Sequence, residues 1–594
     1  MPPSSLALSS KRRKISQDSG NNDIVGRLES TITDAIATNA SLNPLTDLLH
    51  LASTSPDAGI VHRCIYALYR LFVSLIDKGA LQPQNEEGSK VVRQWILERL
   101  DEFSSLLHSL LRDEESSLRT SALSILFSLL KHLSKSLSKS STRPQFHVSF
   151  FKKIIHALLL SPPSLRGELK PPTFFTGGAM HADIRDLFLG KYLNIYDDIR
   201  WFFMRDAQPI LAELAPEKFP NARENVLSVL ERLTSFPTTQ SDIDTWWIEE
   251  LGFKPPKLAQ GQNDSDEQPS SDEDEDDWTK FFDDEDKHKD SKPAPASARL
   301  HQLTVHQSLH SLSSHRAVFT RLWLTLLPQL SSRTSDGNST LSMRALNFMH
   351  RGVMPHLTRA VMVMDWVSSC VDYGGAIGLL ALNALFVLMQ EYNLDYPSFY
   401  TRLYAFLDED LLHLKHRARF FRLTDLFLSS SHLPATLLAS FVKRLSRLSL
   451  NAPPSSIIIM IPFAYNILKR HPALMVMIHR DGDMAGDTFL PDEPNPNLTQ
   501  ALDSSLWELY SHRQHYHAGV STLARIFEEA FTKPAYPLED FLDHTYATLF
   551  DVEVKRRIKK EPATGLDLPK YTFPTLANTI EEVEMDVLGK IWVF

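Results

Sequence analysis

The chain has 594 residues, too many for a single hydrophobic core, so two or more domains are expected. Its 43% hydrophobic and 23% charged residues are ordinary for a globular protein, and the low glycine content favours helix over a turn-rich sheet protein. Two distant cysteines, Cys64 and Cys370, exclude a disulfide framework and a cysteine-based zinc site. The apolar runs near residues 378–389 and 457–468 are too short to span a bilayer, so we expect no membrane association. The N-terminal residues contain no apolar run typical of a signal peptide, so we expect no secretion.

Charge is distributed unevenly along the chain. Between Asp264 and Asp290 there are fourteen acidic residues and three lysines, so this stretch accounts for all of the formal net charge of −10. The rest of the chain is close to neutral. The acidic character therefore belongs to one segment and not to the folded parts.

Residues 1–22 are polar and rich in serine, and we predict a disordered tail. Short basic clusters are typical of nuclear import signals, although they are also common by chance. The chain has one such cluster in this tail and a second one near its other end: Lys11, Arg12, Arg13 and Lys14, then Lys555, Arg556, Arg557, Lys559 and Lys560.

From residue 23 to residue 253, apolar residues recur at spacings of three and four, which is the period of amphipathic helices. The clearest examples are residues 64–76, 91–111 and 117–137, and the connections carry proline, glycine or serine. Successive amphipathic helices with short loops predict a stacked array similar to HEAT or armadillo proteins. The repeat is degenerate, since no regular period is visible.

Residues 254–299 have the composition of a disordered acidic linker, because SDEDEDD (271–277) cannot bury a core. Within it, Trp278, Phe281 and Phe282 stand at positions i, i+3 and i+4, on one side of a helical turn. These aromatic residues are either part of a spacer or a docking peptide that fills a groove on this chain or on a partner.

Helical periodicity resumes over residues 300–562, and a tail of mixed character covers residues 563–594. The predicted fold class is therefore all-α, an α-solenoid in two parts joined by a disordered acidic linker. The expected helices of the second part include 376–391, 409–429, 434–450, and one that begins at Ser455 or Ser456, is kinked at Pro462 and ends near Pro472.

The stretch from Leu411 to Arg480 contains ten lysines or arginines and one acid, Asp425. Helical spacing places Leu437, Phe441 and Leu445 on a buried face and directs the basic residues outward. The scarcity of acids favours an anionic partner, either RNA or an acidic protein, over an ordinary solvated helix surface. We call the candidate residues the basic ridge: Lys415, Arg417, Arg419, Arg422, Lys443, Arg444, Arg447, Lys469 and Arg470.

Catalytic and cofactor motifs are absent from the sequence. It contains no phosphate-binding glycine loop, no H-E-x-x-H, no C-x-x-C and no G-x-S-x-G. Two histidine groups, His306 with His310 and His512 with His515 and His517, lack further ligands, and we interpret them as packed or surface histidines. We therefore expect no enzymatic activity, cofactor, metal or small-molecule substrate.

Several long motifs resemble a known family. HRARFFRLTDLFLSSSHLP, PFAYNILKRHPALMVMIHR and YHAGVSTLARIFEEAFTKPAYPLED are similar to the C-terminal domain of the CCAAT-binding-factor and Noc-domain family, in the nucleolar complex protein four branch. The resemblance is strong over residues 375–562 and weaker over residues 180–255, where WFFMRD and the region of Trp246 and Trp247 carry it.

The resemblance implies a non-catalytic α-solenoid scaffold of the nucleus and nucleolus that acts in assembly of the small ribosomal subunit. It also implies pairing with a second nucleolar protein, the fourteenth of the Nop series, through the C-terminal region, and association with the pre-ribosomal particle and its RNA. Two other classes remain open: an α-solenoid transport or trafficking adaptor, and a transcription-related factor similar to CCAAT-binding factors.

Overall fold

The computed structural model describes residues 9–38, 40–82, 87–140, 143–164, 166, 178–214, 219–254, 304–330, 336–396, 398–480 and 486–556. Helices make up most of these residues, and no strand occurs among them. The predicted all-α, solenoid-like fold class is confirmed. The chain divides into two units, Met1–Phe406 and Leu407–Phe594.

The helices of the first unit are α1 (Ser9–Thr38), α2 (Pro44–Thr54), α3 (Ala58–Asp77), α4 (Glu87–Leu110), α5 (Ser116–Ser140), α6 (Val148–Leu160), α7 (Ala182–Phe188), α8 (Asp197–Glu213), α9 (Pro220–Leu230), α10 (Val305–Leu309), α11 (Leu312–Leu330), α12 (Asp336–Phe348), α13 (Met364–Tyr373), α14 (Gly375–Glu391) and α15 (Phe399–Ala405). Those of the second unit are α16 (Arg417–Phe427), α17 (Ala435–Ser449), α18 (Pro454–Arg470), α19 (Trp507–Ser511), α20 (Ala518–Ala524), α21 (Glu539–Leu542) and α22 (Tyr546–Lys555).

Helix α3 shows how the sequence produces the array. Its N-cap residue, Asp57, accepts a hydrogen bond from the Gly59 amide at 2.9 Å, and Cys64, Leu68 and Leu71 are buried at helical spacing. The helix packs against α1, α2 and α5. Among the described residues, it is also the one helix whose length and apolar composition would allow it to cross a membrane. Its apolar side chains are buried in the packing with these helices.

The first helix begins earlier than expected. The sequence analysis assigns residues 1–22 to a disordered tail, whereas α1 begins at Ser9. No proline, which would break the helix, occurs between Ser9 and Thr38. Lys11, Arg12, Arg13 and Lys14 therefore lie within the bounds of a helix.

The predicted domain boundary is also different, because helices on either side of the acidic segment pack together. Helix α8 lies against α11, and the Trp201 indole donates a hydrogen bond to the Ser314 hydroxyl at 3.0 Å. Arg344 makes two 2.9 Å hydrogen bonds to the Glu231 carboxylate. Residues 304–406 therefore belong to the first unit, and the division falls after Phe406 and not in the linker.

Two buried carboxylates at the start of α8 hold the segment that precedes the acidic stretch. Asp198 accepts hydrogen bonds from the amides of Trp247 and Ile248 at 3.1 and 3.0 Å, and Asp197 accepts from the Asp244 and Thr245 amides. Carboxylates at a helix N-terminus are also favoured by the helix dipole. The Trp247 ring is thereby placed in an aromatic cluster of the core.

Helix α14 is apolar on nearly every side and is correspondingly buried. Gly374 and Gly375, which precede it, both have positive φ, a conformation that favours glycine. At Gly378, an added Cβ would lie 2.6 Å from the Phe406 ring, so only glycine allows this close approach. The helix expected over residues 376–391 is confirmed.

The second unit is built around α18, in which every residue from Ser455 to Leu468 is buried. Helix α17 packs against it. The predicted helices 434–450 and the one starting near Ser455 are confirmed, and Pro462 lies inside α18. The single helix expected over residues 409–429 is instead a 3-10 turn, Leu411–His413, followed by α16, an arrangement that buries the adjacent Leu411 and Leu412 together.

We predict that the first unit forms across the acidic segment without a covalent link. Co-expressed fragments 1–254 and 304–594 should co-purify, because α8 and α11 share a buried interface. Trp201→Ala should weaken this association, since truncating a buried Trp costs about 3–5 kcal/mol. Phe253→Ala, at a largely exposed position of the same fragment, is the matched control and should have no effect. Fragments that separate on gel filtration would contradict the packing.

Candidate interaction surfaces

The basic ridge does not form a continuous exposed surface. Arg417 is only 8% exposed, and its guanidinium donates to the Ser455 hydroxyl and the His544 carbonyl, both at 3.0 Å. Lys443 is fully buried. The prediction that these two side chains point into solvent is wrong, because both are directed into the core of the second unit.

Lys443 is the centre of a buried cluster. Its ammonium lies 2.9 Å from the Asp487 carboxylate and 2.7 Å from that of Glu508, and it donates to the Ser505 carbonyl at 2.7 Å. The Trp507 indole also donates to Asp487, at 3.2 Å. Burial raises the pKa of Glu508 even though Lys443 acts in the opposite direction. We call Lys443, Asp487 and Glu508 the lysine cluster.

Most other ridge residues are partly exposed and are engaged by neighbouring groups. Arg422 forms a two-pronged contact with Glu539, Arg470 lies 3.3 Å from Asp425, and Arg447 lies 3.8 Å from Asp487. The Arg444 guanidinium donates to the Leu407 carbonyl at 2.7 Å, and Lys469 donates to the Lys533 carbonyl. Their charges are therefore largely satisfied within the unit.

Apart from Asp425, the acids that pair with ridge residues come from distant parts of the sequence. Asp487, Glu508 and Glu539 all lie beyond Arg480, outside the stretch in which acids are scarce. Folding brings them onto α16 and α17. The local charge excess is therefore partly neutralised in three dimensions, which weakens the main reason for expecting a ridge.

The remaining two ridge residues lie near the beginning of α16. Lys415 is exposed at the start of α16, and Arg419 is half-buried one turn further on. Binding of RNA or of a partner by any ridge residue stays a prediction.

The histidine groups are packed, as interpreted from the sequence. His306 and His310 both direct Nε2 at the Leu251 carbonyl oxygen, at 3.1 and 2.8 Å. His512 is buried, with its Nε2 2.8 Å from the Ser449 hydroxyl. Within the described ranges, no group of three or more histidine, cysteine or acidic side chains could hold a metal ion.

Some candidates lie outside the described residues. These are the docking-peptide residues Trp278, Phe281 and Phe282, and the import-signal residues Arg557, Lys559 and Lys560. Of the second basic cluster, Lys555 and Arg556 are described, and both are exposed.

An aromatic groove in the second unit was missed by the sequence analysis. It has a volume of about 310 Å³ and is lined by Met477, Trp507, Tyr510, Arg513 and Phe527, among others. Tyr510 is 66% exposed, and the Arg513 guanidinium lies 4.8 Å from its ring centre. Exposed Trp, Tyr and Arg side chains in a concave site are typical of protein-binding surfaces. The only signal in the sequence was the cluster of aromatic residues in SLWELYSHRQHY.

Two family models match the chain. One is described as nucleolar complex protein 4-like, TPR repeats, and covers residues 16–216; the other is the CBF/Mak21 family and covers residues 378–524. The first match describes the N-terminal array as TPR repeats, which are α-solenoids like the HEAT and armadillo arrays expected from the sequence. The second match includes the lysine cluster and most of the aromatic groove.

Relatives match along most of the chain. An uncharacterized protein of Schizosaccharomyces pombe is 35% identical over 543 residues, which are 91% of this chain and 95% of that protein. Nucleolar complex protein 4 of Saccharomyces cerevisiae is 29% identical over 557 residues, 88% of this chain and 87% of that protein.

The chain belongs to the nucleolar complex protein 4 family. The human homolog of nucleolar complex protein 4 is 40% identical over 263 residues, 43% of this chain and 50% of that protein. Membership makes the chain a nucleolar ribosome biogenesis factor, as the resemblance implied.

We predict that the lysine cluster stabilises the second unit. Lys443→Met should lower the free energy of unfolding by about 3–5 kcal/mol, because it leaves two carboxylates without their buried partner. Lys415→Met, at an exposed lysine, should change it by no more than about 0.5 kcal/mol. Adding Glu508→Gln to Lys443→Met should recover part of the loss. Urea unfolding of the full chain measures these changes, and equal effects of the two lysine variants would contradict the assignment.

We also predict that His512 makes the second unit sensitive to acid. Burial, helped by the nearby His515, lowers the pKa of His512 to about 4, whereas an unfolded histidine titrates near about 6.5. The contribution of His512 to the free energy of unfolding is fully present above about pH 6.5. It is lost as the pH falls toward 4, by up to about 1.4 kcal/mol per pH unit.

Urea midpoints measured between pH 7.5 and pH 4.5 would test this effect. The fall of the urea midpoint with decreasing pH should be shallower in His512→Gln than in the unchanged protein. His432→Gln alters an exposed histidine and should leave the decline as it is. Identical pH profiles for all three proteins would show that His512 does not contribute.

Proposed function

We propose that this protein is a non-catalytic scaffold for assembly of the small ribosomal subunit, in which the second unit binds a nucleolar partner protein. Membership of the nucleolar complex protein 4 family is the single observation that carries this proposal. The partner that the resemblance implies is the fourteenth protein of the Nop series. Membership also favours this function over a trafficking adaptor or a transcription-related factor.

The aromatic groove is the surface that we assign to the partner protein. It combines an apolar floor of Met477, Leu509 and Phe527 with the aromatic side chains of Trp507 and Tyr510. Binding energy at protein interfaces is concentrated on such aromatic and arginine side chains, which fill or line pockets that exclude water. Trp507 is also fixed by its hydrogen bond to Asp487. The lysine cluster therefore presents the groove in one conformation, which limits the entropy lost on binding.

Contact with pre-ribosomal RNA is the second part of the proposal, and it rests on fewer residues than the sequence indicated. Lys415 is exposed, and the side chains of Arg422 and Arg447 are 48% and 39% exposed beside their acidic neighbours. Each duplex phosphate that a protein neutralises steepens the slope of log binding constant against log salt concentration by about 0.9. We therefore expect a shallow salt dependence, since the nearby carboxylates repel phosphate.

Tyr510→Ala tests the assignment of the groove. It should weaken binding of the partner protein at least about tenfold, which corresponds to about 1.4 kcal/mol. The tyrosine is mostly exposed, so the unfolding free energy should be nearly unchanged. Affinity is measured by titrating the purified partner into the full chain, and small-subunit precursors are measured in cells that carry the variant.

Leu498→Ala is the matched control, because Leu498 is 60% exposed and lies outside the groove. It should leave affinity and precursor levels unchanged. Equal affinities for both variants would remove the groove as the partner site. Normal small-subunit precursors after depletion of the whole protein would instead remove the proposed function.

A further inference from the structure

Helix α22 is held to the second unit by few contacts. Leu549 is half-buried, the other residues of the helix are exposed, and Leu549 packs against a core cluster that includes Ile457, Ile461 and Val520. A helix of ten residues is marginally stable in water without tertiary packing. The observed contacts therefore leave most of α22 without the burial that stabilises a short helix.

The uncovered side of α22 is apolar. Tyr546, Phe550 and Val554 stand at positions i, i+4 and i+8, so they form one stripe along the helix, and they are 57%, 71% and 68% exposed. Contiguous exposed apolar side chains of this kind mark a surface that another element covers. We call these three residues the apolar stripe.

We propose that the C-terminal segment of the same chain, residues 576–594, covers the apolar stripe. This segment follows α22 closely and has the apolar spacing of a helix that buries one face. The apolar positions are Leu576, Ile580, Val583, Val587, Ile591 and Phe594. The proposal concerns the chain alone and does not depend on the proposed function.

The sequence between the two elements permits a reversal of direction. Residues 561–575 contain Pro562, Gly565, Pro569 and Pro574, which disfavour a continuous helix. A ten-residue helix is only about 15 Å long, so the twenty connecting residues 556–575 are enough for the segment to return along α22. The resulting arrangement is an antiparallel pair of helices joined by a loop.

Charge favours the same antiparallel arrangement. In the sequence, Lys555 and Arg556 at the end of α22 are followed by Arg557, Lys559 and Lys560, whereas the more acidic half of the segment carries Glu581, Glu582, Glu584 and, at its boundary, Asp586. Antiparallel return places this acidic half beside the basic end of α22. The apolar residues Ile591 to Phe594 are then left beside Tyr546 and Phe550.

The covalent connection to α22 favours this segment over a second copy of the chain or another protein. A short linker gives a tethered segment an effective concentration in the millimolar range. A free competitor at micromolar concentration needs a much higher intrinsic affinity to displace it. The chain's own segment is therefore the favoured occupant of the apolar stripe.

A pair of engineered cysteines tests the proposal in the full chain. Phe550→Cys combined with Ile591→Cys should form an intramolecular disulfide under mild oxidation, detected by the mass of a linked peptide in the monomer. The native Cys64 and Cys370 are both buried, so they contribute little background. Leu498→Cys with Ile591→Cys is the matched control, because Leu498 is similarly exposed and adjoins Thr499, whose hydroxyl contacts Ser440 of α17, and it should stay unlinked.

Hydrogen exchange provides an independent measurement. Val587→Asp should speed amide exchange in residues 546–555 at least about tenfold, because it removes the apolar cover of α22. Unchanged exchange together with no linked monomer would overturn the proposal. A disulfide found only between two chains would also overturn it, because a second copy would then be the occupant. Protection of α22 that arises only when the partner protein is added would overturn it as well.

Discussion

A charged side chain removed from water needs an opposite charge or hydrogen-bonding groups around it, and this requirement organises the second unit. Lys443 on α17 is fully buried and is neutralised by Asp487 and Glu508, which follow it by more than forty residues. These contacts fix the long connection after α18 and the short helix α19 against α17. They also set the position of Trp507, and through it the shape of the aromatic groove. Charge burial that is compensated in this way specifies one arrangement of the connection, because other arrangements leave an ion without its partner.

The same requirement acts in the first unit, where the Arg200 guanidinium and backbone amides together surround two buried carboxylates. Asp197 and Asp198 at the start of α8 accept hydrogen bonds from four amides of residues 244–248. The segment that leads into the acidic stretch is therefore anchored to α8. Because α8 also packs on α11, the chain enters and leaves the acidic stretch from one body. The acidic stretch connects two parts of a unit and does not separate two domains.

These features divide the surface of the second unit into parts with different roles. Its cations are mostly paired, so the electrostatic attraction available to RNA is smaller than the sequence indicates. Its aromatic groove and the apolar stripe of α22 expose the side chains that favour protein contacts. We assign the groove to a partner protein and the stripe to the chain's own C-terminal segment. A scaffold in a large particle needs both a surface for its neighbours and cover for its remaining apolar helix faces.

Local sequence patterns determined the helical class, most helix positions, and the family resemblance. The spacing of Leu437, Phe441 and Leu445 in α17 and the apolar run of α14 are properties of neighbouring residues, and periodicity reports them directly. Tertiary structure alone decided the direction of the basic side chains and the place where the chain divides. Lys443 was expected in solvent because helical spacing turns it away from the face of Leu437, Phe441 and Leu445, yet Asp487 and Glu508 reach it from elsewhere in the fold. Pairing between distant residues depends on three-dimensional proximity, and no local pattern of charge contains that information.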